Sequence, residues 1–245
     1  LVNDDNTAFD QFIKNGIPSA AIHGNAVYAV WLDARAGATT VDMGRDVYFA
    51  KGTMDTDGKV RFGANVRVND IDRSACSEGP AAPSIAVTSD GTICIVWKDN
   101  RDNTGLADSQ GDSIYMARSV DDGISFQASQ KLDILPDTEA YLHRRSPRVA
   151  AAGGYVYVTF GKGMQESLEM VVSSDNGRTF GSVQEILPIP ADDSVIAADG
   201  SHFYVGYIST VSQGIGLPGK HEVILYTSSD HGQTFGNPIV VNDDA

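Results

Sequence analysis

Apolar residues fall in short runs along most of this chain, and each run stops at a turn built from Gly, Asp, Asn or Ser. Four segments share one layout: "IPSAAIHGNAVYAVW" (17–31), "APSIAVTSDGTICIVW" (82–97), "SPRVAAAGGYVYVTF" (146–160) and "DSVIAADGSHFYVGY" (193–207). Each holds an apolar run, a Gly-containing turn and a second run rich in β-branched and aromatic residues, which predicts a β-hairpin. A third run follows in each, "DVYFAKG" (46–52), "DSIYMARS" (112–119), "SLEMVVS" (167–173) and "EVILYTS" (222–228), and a fourth is clear in "RFGANVRVND" (61–70) and "TFGNPIVVND" (234–243). No stretch sustains a helical period. The expected architecture is all-β: four antiparallel units of four strands, over about 5–70, 71–133, 134–188 and 189–245. Repeats of this size predict the blades of one β-propeller domain spanning 1–245, in which neighbouring sheets bury one another's faces.

A polar motif recurs between the third and fourth runs. It reads "SVDDGISF" at 119–126, "SSDNGRTF" at 173–180 and "SSDHGQTF" at 228–235, with a longer version, "TMDTDGKVRF", at 53–62. Its closing aromatics, Phe62, Phe126, Phe180 and Phe235, are 64, 54 and 55 residues apart, so the motif belongs to the repeat. Asp55, Asp121, Asp175 and Asp230 are expected to accept hydrogen bonds from turn N–H groups. Gly123, Gly177 and Gly232 are expected at positive φ. Phe126, Phe180 and Phe235 anchor the turns between layers, each burial contributing about 2 kcal/mol.

The pattern S-x-D-x-G-x-[ST]-F resembles the Asp box, or BNR repeat, of sialidase-like β-propellers, and the four units carry that resemblance over nearly the whole chain. The resemblance implies the fold more than an activity, because Asp boxes in this family are structural and lie away from the substrate face. It also implies what a sialidase would need: an arginine triad for the substrate carboxylate, a Tyr nucleophile assisted by Glu, and an Asp acid/base, generally on six blades. The family's first arginine usually precedes Ile-Pro in the first blade. Here "NGIPS" puts Gly16 in that place, removing a bidentate, charge-assisted grip. The favoured reading is therefore a noncatalytic binding or scaffold module that recognises glycan or protein. An exo-sialidase-like glycoside hydrolase and a subunit of a surface polymer are the alternatives.

Charge narrows the partners. With 32 acidic against 18 basic side chains and a formal charge of -14, the chain lacks the clustered cations that phosphate backbones require, so nucleic acid is not expected. No apolar run is long enough to cross a bilayer as a helix. "LVNDDN" shows neither an initiating Met nor a leader pattern, so any targeting signal is expected to be removed or outside the chain given. An extracellular or cell-surface setting is expected.

Four arginines are the candidate ligand contacts, at the channel mouth opposite the motif turns. Arg35 in "LDAR" and Arg101 in "KDNR" follow the second runs of two units, and Arg144 and Arg145 lie where the chain enters the third. Such a cluster suits carboxylated or sulfated glycans. Arg35 and Arg101 have a competing structural role, in which Asp46 and Asp112 close their loops by salt bridges. Asp99, Asp102, Asp108 and Asp112 give the loop 99–112 oxygen ligands for calcium, although the spacing matches no defined calcium loop and a solvated turn is the default. The five His residues, at 23, 143, 202, 221 and 231, have no zinc spacing, so no cofactor is expected.

Two anomalies remain. Aligning Trp31, Trp97, Phe160 and Tyr207 puts Cys94 in a slot held elsewhere by Tyr28, Tyr157 and Tyr204, while Cys76 lies in the linker to the same unit. Their co-occurrence predicts a Cys76–Cys94 disulfide, against a free buried thiol. The N-terminal "LVNDDN" resembles the end of a fourth strand, as in "VRVND" (66–70) and "IVVNDDA" (239–245). It is expected to close the ring within the chain; the alternatives are a cut from a longer array and strand addition to a neighbouring molecule.

Overall fold

β-Branched and aromatic residues favour strands along the apolar runs, and Gly24, Gly153 and Gly200, all at positive φ, turn the first strand of a unit into its second. The computed structural model describes residues 18–33, 35, 45–72, 74–75, 82–102, 112–133, 144–162, 167–189, 194–211 and 220–242, which hold strands and no helix. Sheet 1 contains β1 (Ser19–His23), β2 (Ala26–Asp33), β3 (Asp46–Met54), β4 (Val60–Phe62) and β5 (Val66–Arg67), with β4 and β5 both paired to β3. Sheet 2 contains β6 (Ser84–Val87), β7 (Ile93–Asp99), β8 (Ser113–Ser119) and β9 (Gln130–Lys131). Sheet 3 contains β10 (Arg144–Ala152), β11 (Tyr155–Lys162), β12 (Ser167–Ser173) and β13 (Gln184–Leu187). Sheet 4 contains β14 (Val195–Asp199), β15 (His202–Val211), β16 (Lys220–Ser228) and β17 (Ile239–Val240). Every strand pairing is antiparallel and, β3–β5 apart, joins chain neighbours, and the first strands β1, β6, β10 and β14 lie side by side in that order. The N-terminal strand expected from "LVNDDN" falls outside the described residues.

The core is divided among the sheet interfaces. Tyr28, Val30 and Leu32 of β2 meet Ile93, Ile95 and Trp97 of β7 between sheets 1 and 2. The opposite face of β7, with Cys94 and Val96, meets Val156, Val158 and Phe160 of β11. Tyr157 of β11 then meets Phe203 and Val205 of β15. Strand β7 is consequently buried at all seven positions, as expected for a strand covered on both faces.

The fourth strand ends the same way in three sheets. Val68, Leu132 and Val241 donate their N–H groups to the carbonyls of Val47, Ile114 and Val223. The following residue, Asn69, Asp133 or Asn242, accepts the N–H of that same third-strand residue through its side-chain oxygen. This reciprocal closure gives the repeated "VND" string a physical role.

The motif turns form three nearly superimposable hydrogen-bond sets. The hydroxyl of Ser119, Ser173 or Ser228 donates to Oδ1 of Asp121, Asp175 or Asp230 at 2.7 Å. The same Ser Oγ accepts the N–H of Gly123, Gly177 or Gly232 at 2.8–2.9 Å. Ser125, Thr179 and Thr234 donate both backbone N–H and hydroxyl to the two Asp oxygens. In the longer first copy, Asp57 and Lys59 donate their N–H groups to Asp55, and Arg61 Nε replaces the hydroxyl. In the three shorter turns the glycine and the residue before it are both left-handed, and Asp122, Asn176 and His231 fill that preceding position at φ 61°, 58° and 61°. Asp, Asn and His are the non-glycine types that tolerate this region best.

These bonds hold the carboxyls of Asp121, Asp175 and Asp230 down at about 2. For Asp121 and Asp230 the largest influence is the hydroxyl of Ser125 or Thr234; for Asp175 burial opposes ionisation, and the bonds from Thr179 outweigh it. A carboxyl depressed below its unfolded value of about 3.9 contributes stability above that pH and loses it as pH falls through the folded value. The melting temperature is therefore expected to hold steady down to about pH 5 and to fall between about pH 4 and 2. A scan of thermal unfolding against pH checks this, and a decline already complete above pH 5 contradicts it.

Candidate functional site

Strands β2 and β7 end in one repeated string, "WLDAR" (31–35) and "WKDNR" (97–101), at the ends of the sheets opposite the motif turns. In sheet 2, Asp99 is fully buried and accepts from Trp97 Nε1 at 2.8 Å, from Ser74 Oγ at 2.8 Å, and from Arg101 through its backbone N, Nε and Nη2 at 2.8–3.0 Å. Arg101 Nη1 also donates to Asp70 and Ser129, and its guanidinium lies 4.1 Å over the Tyr115 ring. Burial opposes the cation, but Asp99 and Asp70 outweigh it and raise its pKa further. Asp70 is likewise held at about 2, its burial outweighed by Ser129 and Arg101.

Sheet 1 repeats the corner. Asp33 accepts from Trp31 Nε1 at 3.0 Å and from the backbone N and Nη2 of Arg35 at 2.8 Å. Arg35 Nη2 also reaches Asn65 Oδ1, and its guanidinium lies 3.9 Å over Tyr48. Tyr48 and Tyr115 are the register partners of Trp31 and Trp97. Each corner thus knits second strand, third strand and following loop around one carboxylate, with the charge-assisted bonds that suit a partly buried guanidinium.

The arginine-to-aspartate closure expected from the sequence is present in kind with different carboxylates. Asp33 and Asp99 supply it, while Asp46 accepts Asn69 Nδ2 and Asp112 pairs with the buried Lys98 at 2.6 Å. Of the calcium candidates, Asp99 serves the corner, Asp112 holds Lys98 and Asp102 accepts Tyr115 OH and Lys131 Nζ. Asp108 lies outside the described residues. The corner roles of Trp31, Trp97, Tyr48 and Tyr115 are not among the sequence expectations, although W-x-D-x-R occurs twice at the same place in its repeat.

Arg144 and Arg145 open β10, where their backbones pair with Lys162 and Gly161 at the end of β11. A bulge between Arg145 and Arg148 bends the strand, with Ser146 at φ 48°. Aligning Trp97 with Phe160 puts Lys162 in the register position of Asp99. The two arginines therefore share the corner end with Arg35 and Arg101, on a sheet whose sequence has Lys162 where β7 has Asp99.

A second contact pattern crosses the sheet interfaces at the motif end. Tyr28 of sheet 1 donates its hydroxyl to Asp122 of the sheet 2 turn at 2.9 Å, and Lys51 pairs with the same carboxylate. Tyr157 of sheet 3 meets His231 Nδ1 of the sheet 4 turn at 2.6 Å. Burial pushes both tyrosines up to about 12, with Asp122 adding to the effect at Tyr28. Between sheets 2 and 3 the tyrosine slot holds Cys94, whose Sγ lies 3.0 Å from where a Cβ on Gly177 would stand. Among the described residues Cys94 is a free, fully buried thiol facing the next sheet. Burial raises it to about 12, which makes it a packing group and not a nucleophile. Cys76 lies outside the described residues.

No protein-family model matches the chain, and no curated protein does. Solved structures do match. A leech intramolecular trans-sialidase complexed with 2,7-anhydro-Neu5Ac superposes with a TM-score of 0.61 at 10% identity, over 92% of this chain and 50% of that one. The Hadza microbial sialidase Hz136 gives 0.57 at 14%, over 90% and 45%. An α-L-arabinanase of Penicillium chrysogenum complexed with arabinobiose gives 0.57 at 14%, over 92% and 66%. The chain spans about half the length of these two sialidases. At this identity the likeness carries the fold, a β-propeller of the type found in sialidases and related glycosyl hydrolases.

Proposed function

We propose that the chain is a noncatalytic recognition module working outside the cell, taking a glycan or a protein segment at the corner end of its sheets. The observation that supports this reading best is the engagement of Arg35 and Arg101. Each is clamped by an aspartate and stacked on a tyrosine, so its guanidinium serves the blade, whereas a sialidase needs arginines aimed at the substrate carboxylate. Gly16, standing where the family's first arginine is expected, points the same way. Arg144 and Arg145 are then the cations assigned to an acidic ligand, without a metal or other cofactor.

Two assays on the same preparation test the proposal. Binding to sialylated, uronate-bearing or sulfated glycans on an array, reduced at least about tenfold by Arg145→Ala and without hydrolysis of a fluorogenic sialoside, is expected; a tenfold loss corresponds to one charge-assisted contact. Sialoside turnover that disappears with Arg145→Ala would establish the hydrolase reading instead.

A further inference from the structure

The interface between sheets 1 and 2 differs from its counterpart between sheets 3 and 4 at the motif end. In sheet 4, His231 precedes the motif glycine, and its ring stacks on Tyr155 of sheet 3 at 3.8 Å between centroids. The residues in the same two positions at the first interface are Asp122 and Ala26. The neighbouring hairpin turn differs as well. Asn176 and His231 each donate their N–H to the hairpin turn of their own sheet, at Gly154 and Ser201. In sheet 2 that turn is one residue longer and closes on itself, through Thr88 N–H to Thr92 O and the bonds from Thr88 and Thr92 to Asp90. The result is a cleft of about 410 Å³ between the two sheets, walled by the β1–β2 turn, β3, the β6–β7 turn and the motif turn of sheet 2.

The cleft's chemistry is specific. Ala26 and Tyr28 form its inner wall, while His23, Asn25, Lys51, Thr53, Asp90 and Asp122 supply donors and acceptors around it. His23 Nε2 stands 3.8 Å from where a Cβ on Gly91 would be, so the two hairpin turns approach each other across the opening. Both carboxyls are held ionised: that of Asp90 chiefly by the Thr88 hydroxyl, and that of Asp122 by Lys51 and Tyr28, which outweigh its burial. The volume falls within the ordinary range for ligand clefts, roughly 300–1,000 Å³, but the lining is about as polar as it is apolar, where drug-like pockets are mostly apolar. Two carboxylates beside one ammonium favour hydroxyls or an amine and repel a further carboxylate.

We infer that this cleft binds a single pyranose ring of a neutral or amine-bearing saccharide, in the position that the Tyr155 ring takes at the interface between sheets 3 and 4. The apolar face of the sugar lies toward Ala26, and its hydroxyls bridge the Asp90 and Asp122 carboxylates to Lys51 and Asn25. This site is separate from the corner end and does not rest on the noncatalytic reading.

Chemical-shift mapping of the folded protein with the methyl glycosides of galactose, glucose and glucosamine, and with methyl sialoside, tests it. Saturable shifts at His23 and Gly91 with at least one of the first three, and none there with the sialoside, are expected. Ala26→Tyr, which installs the ring that sheet 3 carries naturally, should weaken that binding at least about tenfold. Thr53→Trp, on the exposed rim, should do the same without touching the core, and decides the matter if Ala26→Tyr fails to fold. Absence of shifts at His23 and Gly91 with all three sugars overturns the inference. So does unchanged binding in a folded variant, or shifts confined to residues near Arg144 and Arg145, which would instead belong to the corner end.

Discussion

Gly123→Ala is expected to destabilise the fold by about 2–5 kcal/mol, the sum of a left-handed conformation at about 1–2 and overpacking at about 1–3. Gly123 has φ +83°, and a Cβ there would come within 2.3 Å of Phe49 Cε1 and 2.6 Å of Phe49 Cζ, ring atoms in the core of the preceding sheet. Phe49 is held in turn by its edge contact with Phe126 and its stack on Tyr28, so it has little room to yield. Gly153→Ala is the control: φ is +59° and nothing lies within 4 Å of its Cβ position, so only the conformational cost of about 1–2 kcal/mol applies. Denaturant unfolding of both variants separates the two costs. Equal losses would mean that the turn does not pack on its neighbour as described.

Asp99→Ala is the second large effect, at about 3–5 kcal/mol. The substitution strands the Trp97 indole N–H and removes the main partner of a guanidinium whose side chain is only 14% exposed, while the Ser74 hydroxyl keeps the Ile71 carbonyl. Asp70 retains its bond to Arg101, which sets a limit on the loss. For a chain of this size the change corresponds to a fall in melting temperature of about 6–20 °C. Thermal unfolding of Asp99→Ala beside Asp57→Ala, a carboxylate on the exposed rim of the first turn, checks it; similar melting temperatures for the two would contradict the corner's structural role.

What was readable in the sequence follows the range of the interactions. The motif turns are complete within eight residues, from Ser119 to Phe126, so their spacing alone implies the Asp acceptor and the positive-φ glycine. The corners are local too, and the doubled W-x-D-x-R string identifies them once Trp and Asp are read together with Arg. Asp33 and Asp99, two positions before the arginines, close the corners within the turn, whereas Asp46 and Asp112 open the following strand region. The contacts between sheets were not legible, since Tyr28 and Asp122 are 94 residues apart and Tyr157 and His231 are 74 apart. The departure of Cys94 from the tyrosine slot is visible in the sequence, but its packing against Gly177 is a contact between sheets that no local pattern records. For Arg144 and Arg145 the register places the backbones at the corner end, and their role in recognition stands as a proposal.

Arg35 and Arg101 belong to the blade through Asp33 and Asp99, and recognition is proposed for other groups. The most direct test compares wild type with the double variant Arg35→Met, Arg101→Met on one glycan array and in one thermal scan. The account predicts a melting temperature lower by several degrees with the glycan profile of the folded protein unchanged. A profile lost while the melting temperature stays at the wild-type value would make these arginines ligand contacts and would contradict it.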